Sequence, residues 1–344
     1  CSVGCHTKTM RFLTILELHS FARGGGGLAN AQRGASFIRR SMISQLDAVA
    51  AASSAAPSAE SIARTARFGV ERLRECESEH DHLLACEVYE EVRHTLELGA
   101  SFFVTALQAR AQGTSAGCNA LDQEAARQLF GFLISSREML AQQACVNAAR
   151  PAHGGGHGGG CEADSIVVPA ARLALLAREA VEIVKQSFED ETGDAPEMVV
   201  EGDGMCMCIP WSIQFAMIEL VKNAAQASCR EGNMLPILVR IAASKGTLTI
   251  LVSDRGGGLE PLSIRHALEF GWTTALVAPR HDDSRQAARS RLQQAPLAGL
   301  GVGLPLARLH ARRMGGGLQL RSSYGYGTDA YFTVPTNGTG VPEF

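Results

Sequence analysis

Between residues 154 and 160 the chain reads Gly154-Gly155-Gly156-His157-Gly158-Gly159-Gly160, and no packed element can run through such a stretch. Glycine has no side chain to bury and loses more backbone freedom on ordering than any other residue. The run therefore reads as a spacer, and the histidines and cysteine around it (His153, His157, Cys161) as incidental to it, so no metal ligand is assigned there. With 344 residues the chain exceeds the usual size of one compact unit. The expected division is a helical domain over 10–152, a glycine-rich linker over 153–165, a mixed domain over 166–336 and a tail over 337–344.

The hydrophobic period differs on the two sides of the spacer. Over 36–150 apolar residues recur at threes and fours, as in Leu83, Leu84, Val88, Val92, Leu96 and Leu98, which predicts a bundle of packed helices. Breaks are expected at 53–57, where small residues cluster, and at 112–119, where Gly113 and Gly117 interrupt the pattern. Beyond the spacer the reading is helix over 169–191, strand over 198–201, helix over 210–230, strands over 237–242 and 247–253, helix over 304–314, and strands over 318–322 and 330–334. Such an order builds an α/β layer, and its consecutive hairpins predict a mixed or largely antiparallel sheet, not a doubly wound one.

Composition excludes several classes. Apolar residues at 46% and charged residues at 19% fit a globular protein. A formal net charge of −3 predicts no nucleic-acid partner. The ten cysteines include Cys206 and Cys208 in a strand-like run and Cys86, Cys145 and Cys229 in helical ones. None forms a Cys-x-x-Cys pair, so reduced thiols are expected and structural zinc is not. No stretch approaches the roughly 18 consecutive apolar residues of a membrane span. From residue 1 to 45, Lys8, Arg11, Arg23, Arg33, Arg39 and Arg40 face only Glu17, the bias of a mitochondrial transit segment. The first residue is not Met, which places the expected start upstream.

Four motifs carry chemistry. In Ile218-Glu219-Leu220-Val221-Lys222-Asn223-Ala224-Ala225-Gln226, the polar residues Glu219, Lys222, Asn223 and Gln226 share one helix face opposite an apolar one. Next, Ser253-Asp254-Arg255-Gly256-Gly257-Gly258 ends a strand on a carboxylate followed by glycines. Backbone can then approach a ligand closely while the acid accepts a hydrogen bond from an amine. The third, Gly299-Leu300-Gly301-Val302-Gly303-Leu304-Pro305, immediately precedes a helix whose free N–H groups and dipole suit phosphate. It lacks both the βαβ setting of a dinucleotide fingerprint and a Walker lysine. The last, Gly325-Tyr326-Gly327-Thr328-Asp329-Ala330, turns into the final strand, and its Thr328 hydroxyl is suited to support a site for the adenine amine. Singly, each is also readable as an amphipathic helix, an Asp-capped turn, a weak glycine loop or a hairpin turn.

Together, in this order and spacing, they resemble the nucleotide-binding boxes of the gyrase, histidine-kinase and mismatch-repair ATPases. More narrowly, Glu219-x-x-Lys222-Asn223-Ala224, Ser253 to Gly258, Thr273-Thr274-Ala275, Pro296 to Pro305 and Gly316 to Ala330 resemble the mitochondrial 2-oxo-acid dehydrogenase kinases. Upstream, Arg93-His94 and the run Phe132-Leu133, Ser136-Arg137, Met139-Leu140 are similar to that family's bundle helices.

The resemblance implies a helical regulatory and docking bundle followed by an α/β sandwich of the Bergerat type. It implies a protein serine kinase of the mitochondrial matrix that uses ATP and Mg²⁺, with K⁺ as an accessory ion. Its substrate is the E1 component of a pyruvate or branched-chain 2-oxo-acid dehydrogenase complex. Its further partners are the lipoyl domain of the E2 core and a second copy of the chain.

Carried to this sequence, the resemblance makes Glu219 the general base, oriented by His94, and Asn223 the metal ligand. Asp254 receives the adenine amine, with Gly256, Gly258 and Thr328 around it. Thr273, Thr274, Gly299, Leu300, Gly301, Val302, Gly303 and Leu304 form the lid and phosphate contacts, with Lys222 and Gln226 nearby. Family members often have Arg in place of Gln226 and an aromatic in place of Leu300 and Val302. Gly193 to Pro196 and Phe270 to Thr274 lean toward the branched-chain enzyme, as does a chain that reaches Phe344 without an Asp-Trp element; Pro296 to Gly299 lean toward the pyruvate enzyme. Two other functions compete: a two-component histidine kinase, for which His80-Asp81 and His94-Thr95 lack the usual sequence context, and a catalytically weak scaffold that docks through the bundle.

Overall fold

The computed structural model describes residues 28–56, 58–75, 82–113, 119–148, 165–230, 234–273 and 300–338. Its first part is helical: α1 (Leu28–Ala55), α2 (Glu60–Glu75), α3 (His82–Gly113) and α4 (Ala120–Ala148). On α2 the buried residues Ile62, Ala63, Ala66, Val70 and Leu73 recur at threes and fours, with Glu60 in the first turn and Arg72 and Arg74 in the last, where the helix dipole favours them. Asn119 caps α4, its Oδ1 accepting the Asp122 N–H at 2.8 Å. The apolar rows meet in one core around Leu46, Val49, Val92, Leu96, Val104, Leu129 and Phe132. Each helix packs on the next, and α4 returns to α1. The expected break at 53–57 falls between α1 and α2, whereas most of the one expected at 112–119 lies outside the described residues.

The second part begins with β1 (Val168–Arg172), followed by α5 (Leu173–Thr192), β2 (Met198–Gly202), β3 (Met205–Cys208), α6 (Pro210–Arg230), β4 (Ile237–Ser244) and β5 (Thr247–Ser253). Then come a short α7 (Pro261–His266), α8 (Gly303–Arg313), β6 (Gly317–Ser323) and β7 (Gly327–Pro335). The helix expected to start at 169 begins instead at Leu173, because Val168 to Arg172 pair antiparallel with β3 across an irregular register. The main sheet has the order β2-β4-β5-β7-β6. Only β2 and β4 run parallel, so the sheet is mixed, as expected.

Alternate residues of these strands, among them Ile237, Val239, Leu248, Ile250, Ala330 and Phe332, enter a second core beneath α5, α6 and α8. This is the two-domain arrangement of a helical bundle and a Bergerat-type α/β sandwich. No helix among the described residues is long and apolar enough to cross a membrane.

Helix α8 belongs to both cores. Leu306 and Leu309 pack with the bundle, while Ala307, Ala311 and Met314 pack with the sheet. Around it lies a buried polar seam. Arg313 Nε lies 2.7 Å from Glu138 Oε2 of α4, and neither side chain reaches solvent. Burial pushes the Glu138 carboxyl up, against the opposing pull of Arg313 and the Ser212 hydroxyl. One turn earlier His310 Nδ1 lies 3.2 Å from Ser212 Oγ, its ring against Trp211 and Phe215 of α6. Arg137 lies over the ring of the same Trp211, 4.9 Å from its centroid. Farther along, Gln123 of α4 both donates to and accepts from the backbone of Phe270, at 3.0 and 2.9 Å.

Candidate functional site

Helix α6 starts on Pro210, whose missing N–H costs nothing in a first turn. Its buried residues Ile213, Ala216, Met217, Leu220, Val221, Ala224 and Ala225 face the sheet. Period 3.6 therefore turns Glu219, Lys222, Asn223 and Gln226 outward together, and all four line one cleft. The cleft, of about 450 Å³, falls within the range of small-molecule sites.

Opposite α6 the wall is formed by Asp254 and the glycines after β5. Asp254 Oδ1 accepts the Gly256 N–H at 2.9 Å and the Thr328 N–H at 3.2 Å. Both bonds lock the carboxylate to the turn and to β7. Oδ2 has no hydrogen-bond partner among the described residues, so it is available to accept from a ligand amine. Burial raises the Asp254 carboxyl above its usual range, opposed by the two N–H donors. Thr328 Oγ1 lies 2.9 Å from Ser322 Oγ, which in turn accepts the Leu259 N–H at 2.7 Å. Gly256 sits so near α6 that a Cβ there would lie 2.5 Å from the Ala227 backbone carbonyl carbon.

At the third wall the N-terminus of α8 closes on Glu219. Gly301 adopts φ 70°, and its carbonyl accepts the Gly271 N–H at 3.0 Å. Gly303 opens the helix, and a Cβ on it would overlap Glu219 Oε2. The other oxygen, Oε1, accepts from Lys222 Nζ at 2.5 Å, in a pair only 15% and 29% exposed. Val302, Leu304 and Thr273 also line the cleft.

The structure thus assembles Glu219, Lys222, Asn223, Gln226, Asp254, Gly256, Gly258, Thr273, Gly301, Val302, Gly303, Leu304 and Thr328 around one space. Leu300 packs instead against the bundle core. Thr274 and Gly299 lie outside the described residues, as do His80 and Asp81. His94 makes no hydrogen bond to Glu219 among the described residues. It is exposed on α3, and the position one turn before Glu219 is held by Phe215, packed on His310. Of the arginine-histidine pair, Arg93 is paired with Glu90 and Glu97 on its own helix and His94 is exposed. Trp272 and Tyr324, which no motif marks as site residues, also line the cleft.

No group of three His, Cys, Asp or Glu side chains among the described residues could hold a metal ion. An oxygen-loving ion held largely by phosphate would need only the Asn223 amide oxygen from the protein. One amine acceptor, a cationic side chain and a helix N-terminus around one cleft match the adenine, the charge and the phosphates of a nucleotide.

Residues 210–338 match the family described as histidine kinase-, DNA gyrase B- and HSP90-like ATPase. Among curated proteins, isozyme 4 of mitochondrial pyruvate dehydrogenase kinase from Rhinolophus ferrumequinum is 40% identical over 126 residues, 36% of this chain and 28% of that protein. The mitochondrial pyruvate dehydrogenase kinase of Arabidopsis thaliana is 35% identical over 170 residues, 47% of this chain and 46% of that protein. Isozyme 4 from Rattus norvegicus is 31% identical over 208 residues, 57% of this chain and 47% of that protein. Over these stretches the chain is similar to the mitochondrial pyruvate dehydrogenase kinases. It spans less than half the length of these kinases, and the family match begins with the first residue of α6 and so contains every wall of the cleft.

Proposed function

We propose that the chain is an ATP-dependent protein serine kinase of a mitochondrial 2-oxo-acid dehydrogenase complex, acting on its E1 component in the matrix. The observation that carries this reading is the free Oδ2 of Asp254 at one end of a cleft whose other end holds Glu219 against the N-terminus of α8. Asp254 accepts the adenine amine, and the backbone N–H groups from Gly301 to Gly303 face the phosphates. Lys222 leaves Glu219 for the phosphate charge. Asn223 would hold Mg²⁺ through its amide oxygen. The chemistry such an ion would supply is neutralisation of charge on the phosphate oxygens. Glu219 accepts the proton of the attacking serine hydroxyl, for which it must lie within hydrogen-bond reach of that oxygen.

Phosphoryl transfer asks mainly for positioning and charge neutralisation, so the base contributes less than the loop and the ion. The bundle supplies the surface for the lipoyl domain of the E2 core, and the working form is a homodimer. The test is transfer of labelled phosphate from ATP·Mg²⁺ to purified pyruvate and branched-chain E1, side by side, with lipoylated E2 core present. One of the two should be phosphorylated on serine, and Glu219→Gln should slow transfer about a hundredfold while ATP still binds. Transfer to neither E1, or full activity in Glu219→Gln, would remove the substrate or the base from this reading.

A further inference from the structure

The turn between β6 and β7 carries two tyrosines that the fold treats differently. The Tyr326 ring is covered by the Arg255 guanidinium, 4.4 Å from its centroid. Tyr324 lines the cleft together with Gly258, Leu259, Ser263 and Thr328, is 69% exposed, and has no ring or hydrogen-bond partner among the described residues. A large aromatic surface left in water gains most from a flat apolar partner that can cover it.

The turn that presents Tyr324 is tied to the far wall of the cleft. Gly325 N–H donates to the Gly257 carbonyl at 2.7 Å, and Tyr326 N–H to Ser323 at 3.0 Å. Tyr326 bridges antiparallel to Gly257, and the Leu259 N–H reaches Ser322 Oγ at 2.7 Å. A Cβ on Gly258 would overlap the Ser323 carbonyl, so the two strands of backbone touch. The backbone of Tyr324 is therefore fixed relative to the loop that continues directly from Asp254. Only two side-chain torsions remain to be ordered when the ring meets a ligand.

We propose that Tyr324 stacks on the purine of the bound nucleotide and sets the preference for purine over pyrimidine nucleotides. The inference rests on the nucleotide reading of the cleft and names a base contact within it. Asp254 holds the amine edge of the base through Oδ2 and covers neither face of the ring system. A phenol ring at the rim, on a backbone that does not move with it, covers one face. A two-ring purine offers it more area than a one-ring pyrimidine.

Calorimetric titration of the whole chain with ATP, CTP and tripolyphosphate tests this. Tyr324→Ala should weaken ATP about tenfold, the ratio equivalent to about 1.4 kcal/mol, and Tyr324→Phe by less than about twofold. Tripolyphosphate, which has no base, should bind wild type and Tyr324→Ala equally, and the gap between ATP and CTP should narrow in Tyr324→Ala. The thermal midpoint should stay unchanged, since the ring is exposed. Unchanged ATP affinity in Tyr324→Ala overturns the proposal, as does equal loss of ATP and tripolyphosphate. Wild-type chain that binds tripolyphosphate but not ATP overturns the adenine reading of Asp254 instead.

Discussion

Asp254 concentrates the selectivity of the site in one atom. Its Oδ1 is held by Gly256 and Thr328, so removal of the side chain would free two N–H groups as well as the acceptor. Asp254→Ala should lower ATP affinity at least about tenfold, because hydrogen bonds to a charged group are worth about 1.5–3 kcal/mol. GTP, with a carbonyl where ATP has its amine, should bind wild type far more weakly than ATP. Calorimetry checks both; a variant that keeps ATP affinity, or a wild type indifferent to the base, contradicts the assignment. His310 belongs to the seam and not the cleft. Burial, with Arg137 and Arg313 nearby, lowers its pKa to about 3. Its folded value lies below the unfolded one, so its contribution is full above about pH 6.5 and is lost as pH falls toward the folded value. The carboxyl of Glu138 is shifted in the opposite sense, so the comparison has to be with His310→Gln. Relative to that variant, wild type should lose up to about 1.4 kcal/mol of unfolding free energy per pH unit below about 6.5, read from urea titrations. A constant difference across that window would show that His310 does not stay neutral when folded.

Among the elements, α6 and α8 were the most legible. A 3.6-residue period with polar residues at 219, 222, 223 and 226, and glycines ahead of a second apolar period, each admit few conformations. Strand β1 was not legible: Val168 to Arg172 can continue the helical pattern of α5, and only the partner strand β3 decides against it. Within the site, Asp254 and Asn223 could be read from their position at a strand end and on a helix face. The Lys222 bond to Glu219 and the place of Tyr324 could not, because the first depends on a side-chain torsion and the second on a turn held by Gly257 and Leu259, far earlier in the chain. The same packing makes the α8 start unforgiving. Gly303→Ala would push on Glu219 Oε2, so the carboxylate has to leave its place. Gly303→Ala should therefore cut phosphate transfer at least about tenfold, with a smaller effect on the thermal midpoint, since alanine favours the helix itself. Undiminished transfer would mean that the carboxylate has room the structure does not show.

At the scale of the molecule the two halves are joined through α4, α6 and α8. Removing one partner of a buried ion pair strands the other, at a cost of about 3–5 kcal/mol, whereas replacing both with apolar side chains is often near neutral. Arg313→Met and Glu138→Leu should each destabilise by about that amount, and the double variant should recover most of it. Urea unfolding of the four proteins measures the coupling, and additive losses would show that the pair does not act as one. The glycine run at 154–160 is the clearest boundary in the composition, yet Leu306 and Leu309 lie in the bundle core on the same helix that puts Ala307 and Ala311 beneath the sheet. Severing the chain at those glycines would not release two independent pieces. Each would carry a wound of exposed leucine and phenylalanine, and the pieces would have to find one another again in solution.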